Sequence, residues 1–218
     1  MINAIKRLFS KKMKNSYCSF LESAYKFTAM QNFSPDKEIV TWADEEKLKV
    51  IVEEIANLMH LPIQAFHNDG FNPIVKLGGE CGNIHFFVLQ HIKKFHSSVP
   101  VNLTIGEVRT EGNASFSFDE NKFKAWLTER PEILDCHVWI TIGREFIIDA
   151  TIGTYLNTRA ESIKKYGGIL YGRPENLSYI NIPKVENLKP RKMTRLEFRA
   201  VVLGEKAFKA CAPAAPSI

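Results

Sequence analysis

Cysteine is scarce in this chain: there are four in 218 residues, Cys18, Cys81, Cys136 and Cys211. They are scattered, and no recognised spacing joins them, which excludes a disulfide framework or a thiolate zinc site. No apolar run is long enough to span a bilayer. The basic N-terminus lacks the apolar core and small-residue cleavage site of a secretory signal. The expected setting is therefore cytoplasmic, with export by an unmarked route left open. There is no phosphate-cradling loop, dinucleotide fingerprint, nucleic-acid motif or internal repeat. No cofactor, metal or nucleic-acid partner is expected.

What remains is an ordinary globular composition, 45% hydrophobic and 24% charged, with enough length for one good-sized core. The net charge of +5 sits at the ends. Lys6, Arg7, Lys11, Lys12 and Lys14 precede any acidic residue, and the segment 189–209 carries seven basic residues against Glu197 and Glu205. Such ends suit an acidic partner or, more often, form a solvated face.

Apolar periodicity places an arm over 1–14, a helix over 16–30 and a strong helix from an Asp44 cap to about Met59. Residues 62–76, with Pro62, Asn68, Asp69, Gly70, Asn72 and Pro73, read as a loop. A helix begins at Cys81, with Ile84, Phe87, Val88, Ile92 and Phe95 on its apolar stripe. After Pro100 the period changes to two, giving a strand from Val101 to about Val108. Glu111-Gly112-Asn113 is a turn, Ser115 to Phe118 is a candidate returning segment, and 119–130 is a short helix. Two strands follow, 136–142 and 145–151. Residues 192–209 read either as a final helix or as a strand at Leu196 to Leu203. The whole is a single α+β domain: 1–43 an N-terminal helical extension, 44–160 the core, 210–218 a flexible tail.

The chemistry centres on Leu77-Gly78-Gly79-Glu80-Cys81. Cys81 falls in the first turn of a helix, where unpaired backbone N–H groups and the helix dipole favour a thiolate. Gly79 leaves room for a substrate's backbone. In the strand pair, Val138, Ile140 and Ile142 form one apolar face and Phe146, Ile148 and Ala150 another. For both to enter one core, even residues must oppose even residues, so the connection must be odd, such as three residues near Gly143. His137 and Asp149 then share the opposite face as diagonal neighbours, Asp149 opposite Trp139. A thiol nucleophile needs an imidazole, and the imidazole needs an acceptor to fix its tautomer. Cys81, His137 and Asp149 supply these three groups. His85, one helical turn after Cys81, reads as a satisfied polar residue or as a second partner for the thiol.

These residues resemble the transglutaminase-like superfamily: Gly-Gly-Glu-Cys at a helix start, His137-Val138-Trp139 on a strand, and Asp149-Ala150-Thr151 on the next, over about 78–155. The resemblance implies a papain-like core, with a nucleophile helix packed on an antiparallel sheet. By it, Cys81 is the nucleophile, His137 the base and Asp149 the orienter, acting on a protein, peptide or other amide. The activity implied is that of a protease, deamidase or transglutaminase. Oxyanion or substrate contacts are expected from the Cys81 backbone N–H, Gly79, Asn72 or Gln64, with Trp139 beside the pair. The His137–Asp149 spacing is shorter than the family's. Arylamine N-acetyltransferases share the triad order, although Lys76-Leu77 stands where their arginine would. A catalytically inactive member of the fold acting as a binding protein is the alternative of another class.

Overall fold

The computed structural model describes residues 17–111, 113–160, 165–180 and 193–212. The arm over 1–14, with its basic cluster, and the last residues of the tail lie outside this set. The architecture is α+β. A curled antiparallel sheet runs in the order β5-β4-β3-β1-β7-β6, with a short β2 paired to β1. The strands are β1 (Val101–Thr110), β2 (Asn113–Ala114), β3 (His137–Ile142), β4 (Phe146–Asp149), β5 (Leu170–Gly172), β6 (Ser178–Ile180) and β7 (Met193–Leu203).

The helices are α1 (17–30), α2 (Glu45–Leu58), α3 (His60–Asn68), α4 (Pro73–Gly79), α5 (Cys81–Phe95), α6 (Glu120–Thr128), α7 (Ile152–Arg159) and α8 (Glu205–Cys211). Asp44 caps α2 by accepting from the Lys47 N–H at 2.9 Å, as its sequence position anticipates. Phe95 departs from the expected stripe of α5: it is 59% exposed at the helix's last position.

The loop expected over 62–76 is instead two helices, α3 and α4. Both prolines that suggested a break sit in first turns, where a missing N–H costs nothing. Pro73 opens α4, and the Asn72 side chain caps it by accepting from Ile74 and Val75 N–H. At the C-terminal end both sequence readings are partly realised: 193–203 is strand and 205–211 is helix. The return pairing after the turn is limited to β2 and a bond from Ser115 N–H to Val108 C=O.

Both faces of the sheet are covered. Val101, Leu103 and Ile105 of β1, with Val138, Ile140, Ile142 and Ile148, join α2, α5 and α8 in one core. On the other face, Trp139, Ile147, Val108, Phe198 and Ala200 pack with Tyr17, Leu21 and Ala24 of α1. Helix α1 therefore lies on the sheet and contributes to its core. The polar residues that alternate along β1 are buried too and are satisfied in place: the Thr104 and Thr141 hydroxyls pair at 2.7 Å, and the Tyr17 hydroxyl meets Thr141 at 2.6 Å. Gly106 marks a bulge against β7, where a Cβ would run into the Arg199 carbonyl oxygen.

Candidate active site

The β3–β4 hairpin positions two of the three expected groups. Ile140 pairs with Ile148, Thr141 with Ile147 and Ile142 with Phe146. Gly143, Arg144 and Glu145 make the three-residue connection, with Gly143 at φ 58°, a conformation that favours glycine. Even residues thus face even residues, and His137 and Asp149 share the opposite face. Their side chains meet: His137 Nε2 lies 2.6 Å from Asp149 Oδ2, and both residues are fully buried.

Asp149 is held from its other side. Its Oδ1 accepts from the Thr151 and Ile152 backbone N–H groups, each at 2.9 Å, and from the Thr151 hydroxyl at 3.3 Å. These donors lie at the start of α7, whose positive end suits a carboxylate. Burial opposes the charge, but the His137 charge and hydrogen bond, the nearby His85 and the Ile152 N–H outweigh it. The carboxyl pKa is drawn down to about 2. For His137, burial likewise opposes the charge. The Asp149 charge and hydrogen bond, followed by the Cys81 thiol, prevail and raise the imidazole to about 10. The resting pair at neutral pH is imidazolium and carboxylate.

Cys81 opens α5 and is half-buried. Its Sγ turns toward the Cys136 carbonyl at 3.9 Å, a weak thiol contact. The Nδ1 of His137 is buried and has no hydrogen-bond partner among the described residues. The thiol lies close enough to act on the imidazole charge, yet makes no hydrogen bond to Nδ1. Among the described residues no side chain caps α5. The Glu80 carboxylate is engaged instead by Asn83 Nδ2 at 2.7 Å and by Lys76 Nζ at 2.5 Å. This leaves the first-turn N–H groups of α5 without a side-chain acceptor. Gly82 lies against Phe208 of α8, where a Cβ would strike the ring. Helix α8 thereby fixes the height of the Cys81 turn.

His85 has a role that its spacing alone did not reveal. It is fully buried and bridges two elements: Nδ1 donates to the Cys81 carbonyl at 2.7 Å, and Nε2 accepts from the Ala150 N–H at 2.9 Å. Both bonds are made only by the neutral Nδ1–H tautomer. Burial, with the His137 charge, lowers its pKa to about 4 against the opposing pull of Asp149. His85 is thus a satisfied polar group, and it ties the Cys81 turn to the strand end that carries Asp149. The signal in sequence was a lone histidine one turn after the cysteine, with no sign of its partner at the end of β4.

The remaining expected contacts separate into two groups. Gly79 is exposed with open space around it, beside Cys81. Its neighbour Gly78 is instead a packing glycine, where a Cβ would touch the Tyr155 backbone at 3.1 Å. Asn72 sits at the far end of α4 with its carbonyl oxygen spent on the cap, so it is not brought to the thiol. Gln64 is on the exposed side of α3. Trp139 is fully buried and donates its Nε1–H to the Tyr17 hydroxyl at 3.0 Å, which leaves it no surface for a substrate. Its ring plane lies within 23° of the His137 ring at 6.1 Å. Phe116, unremarked in sequence, stacks on the same imidazole at 5.1 Å and reaches Tyr155 at 4.6 Å. Together these rings shield the His–Asp pair from water. Cys136 is buried in the core.

Among the described residues no helix is long and apolar enough to cross a membrane. No protein-family model, curated protein or solved structure matches the chain.

Proposed function

We propose that this protein is a cysteine-dependent enzyme that transfers or hydrolyses an acyl group taken from an amide. The observation that carries the reading is the state of His137. One ring nitrogen is gripped by a buried carboxylate, and the other is without a partner within reach of a half-buried thiol at a helix start. Few structural roles call for that combination, because an unpaired buried imidazole nitrogen costs stability. A helix bearing the thiol, packed on an antiparallel sheet bearing the other two groups, is the arrangement of a papain-like or transglutaminase-like core. On this reading the chain is a trimmed member of that group.

In the proposed reaction Sγ releases its proton to solvent, turns from the Cys136 carbonyl and pairs as a thiolate with the charged Nδ1–H of the resting imidazolium. The thiolate attacks the amide carbonyl carbon. The oxygen that becomes negative faces the Cys81 backbone N–H at the start of α5. The imidazolium then protonates the leaving nitrogen, the C–N bond breaks, and a thioester remains on Cys81. Water or an amine, deprotonated by Nδ1, attacks the thioester and releases the thiolate. Asp149 stays ionised throughout and holds the ring. A cytoplasmic setting, where thiols stay reduced, suits this chemistry.

A second reading is an inactive member of the same fold that serves as a binding protein. What favours it is the direction of Sγ, toward a carbonyl and off Nδ1. An acylating glutamine-mimic probe with intact-mass readout separates the two. Under the enzymatic reading the wild type is labelled once, at Cys81, and His137→Ala loses labelling by about a hundredfold or more. Equal labelling of wild type and His137→Ala, or label on other cysteines only, rejects the enzyme.

A further inference from the structure

At the far end of α5 from Cys81 a second cluster forms. Glu54 of α2, His91 of α5 and His96 just beyond α5 bring one ligand atom each within 4.8 Å of one another. A single carboxylate oxygen, Oε2 of Glu54, lies 3.0 Å from His91 Nε2 and 2.6 Å from His96 Nε2. The histidines are five positions apart, a spacing that would point them apart on a continued helix. They converge because α5 ends at Phe95 and His96 leaves the helix at φ −132°, ψ 50°. The backbone there is fixed on both sides, by His96 N–H to Ile92 C=O at 2.8 Å and Val99 N–H to His96 C=O at 2.9 Å. His91 is braced by the Phe95 ring at 4.8 Å.

We propose that Glu54, His91 and His96 bind a divalent transition-metal ion, zinc foremost, which clips the end of α5 to α2. Two imidazole nitrogens and a carboxylate are a borderline donor set that zinc takes at about 2.0–2.2 Å, with a solvent molecule in the fourth position. The side chains match that division of labour. His96 is 5% exposed and His91 15%, while the Glu54 side chain, 39% exposed, has the freedom to swing onto an ion and leaves a wet side for the fourth ligand. An ion replaces two N–H···O contacts that now converge on one oxygen. It requires both rings to carry their proton on Nδ1, and the buried His96 Nδ1 has no partner among the described residues. The site is remote from Cys81 along α5, so it does not depend on the proposed activity.

The test is a titration of the full chain with zinc at neutral pH, followed through the histidine ring nitrogens by NMR, with cobalt as an optical probe. One equivalent is expected to shift the His91 and His96 Nε2 resonances. Cobalt is expected to give visible bands without a sulfur charge-transfer band. His91→Ala and Glu54→Gln, both at partly exposed positions, should each weaken zinc at least tenfold with unchanged far-ultraviolet circular dichroism. His60→Ala, at an exposed position outside the cluster, should bind as the wild type does. Zinc that shifts other groups and leaves His91 and His96 unmoved overturns the proposal, as does an affinity that both variants retain.

Discussion

Replacing Asp149 by Asn tests the central geometry most directly. The amide keeps an oxygen for the Thr151 and Ile152 N–H groups, so the start of α7 retains its acceptor. Its NH₂ then faces His137 Nε2 and requires that nitrogen to accept. The ring is driven to the neutral tautomer with the proton on Nδ1, and the imidazolium charge that would hold a thiolate is lost. The magnitude follows from the balance on His137. In the wild type a pKa of about 10 means roughly 300 charged rings for each neutral one at pH 7.5. In Asp149→Asn the carboxylate's charge is gone and burial dominates, so the ring titrates at or below its ordinary value. About one ring in ten or fewer is then charged at the same pH. Long-range nitrogen–proton NMR spectra of the imidazole from pH 5 to 10 read this directly. Turnover or probe labelling should fall on the order of 10³–10⁴-fold, and stability by about 1.5–3 kcal/mol for the lost charged hydrogen bond. An Asp149→Asn variant whose His137 stays charged above pH 8, or a wild type whose His137 titrates near its ordinary value, refutes the reasoning.

The same pair dictates a pH window for stability. His137 is raised above its unfolded value, so its contribution is complete below about 6.5 and is lost as pH rises through about 10. Asp149 is lowered, so its contribution is complete above about 4 and is lost as pH falls through about 2. His85 is lowered to about 4, so acidifying from about 6.5 toward 4 costs stability through this residue. Urea unfolding across that range should show a slope that His85→Gln flattens. Gly106→Ala should destabilise by about 3 kcal/mol in urea unfolding, because its Cβ collides with the Arg199 carbonyl and not with a yielding side chain; a change under about 1 kcal/mol would contradict the bulge. Phe116→Ala should open the imidazole to solvent and speed exchange of its ring N–H protons, again read by ring NMR.

What sequence alone settled was whatever rests on a local period. Alternation on 136–142 and 145–151 demanded an odd connection, and that parity by itself placed His137 and Asp149 on one face. The stripe after Cys81 put the thiol at a helix start, and Asp44 announced its helix. Tertiary structure decided everything that depends on which elements lie against one another. Two prolines looked like a loop until their first-turn positions were set. Trp139 lost any access to a substrate because Tyr17, 122 residues away, covers that face of the sheet. His85 gained a partner in Ala150, and Glu54 gained two in His91 and His96. No one-dimensional pattern marks such meetings. Hydrophobic faces repeat along the chain and so can be read from it, whereas the pairing of single buried polar groups is fixed only when the faces have packed.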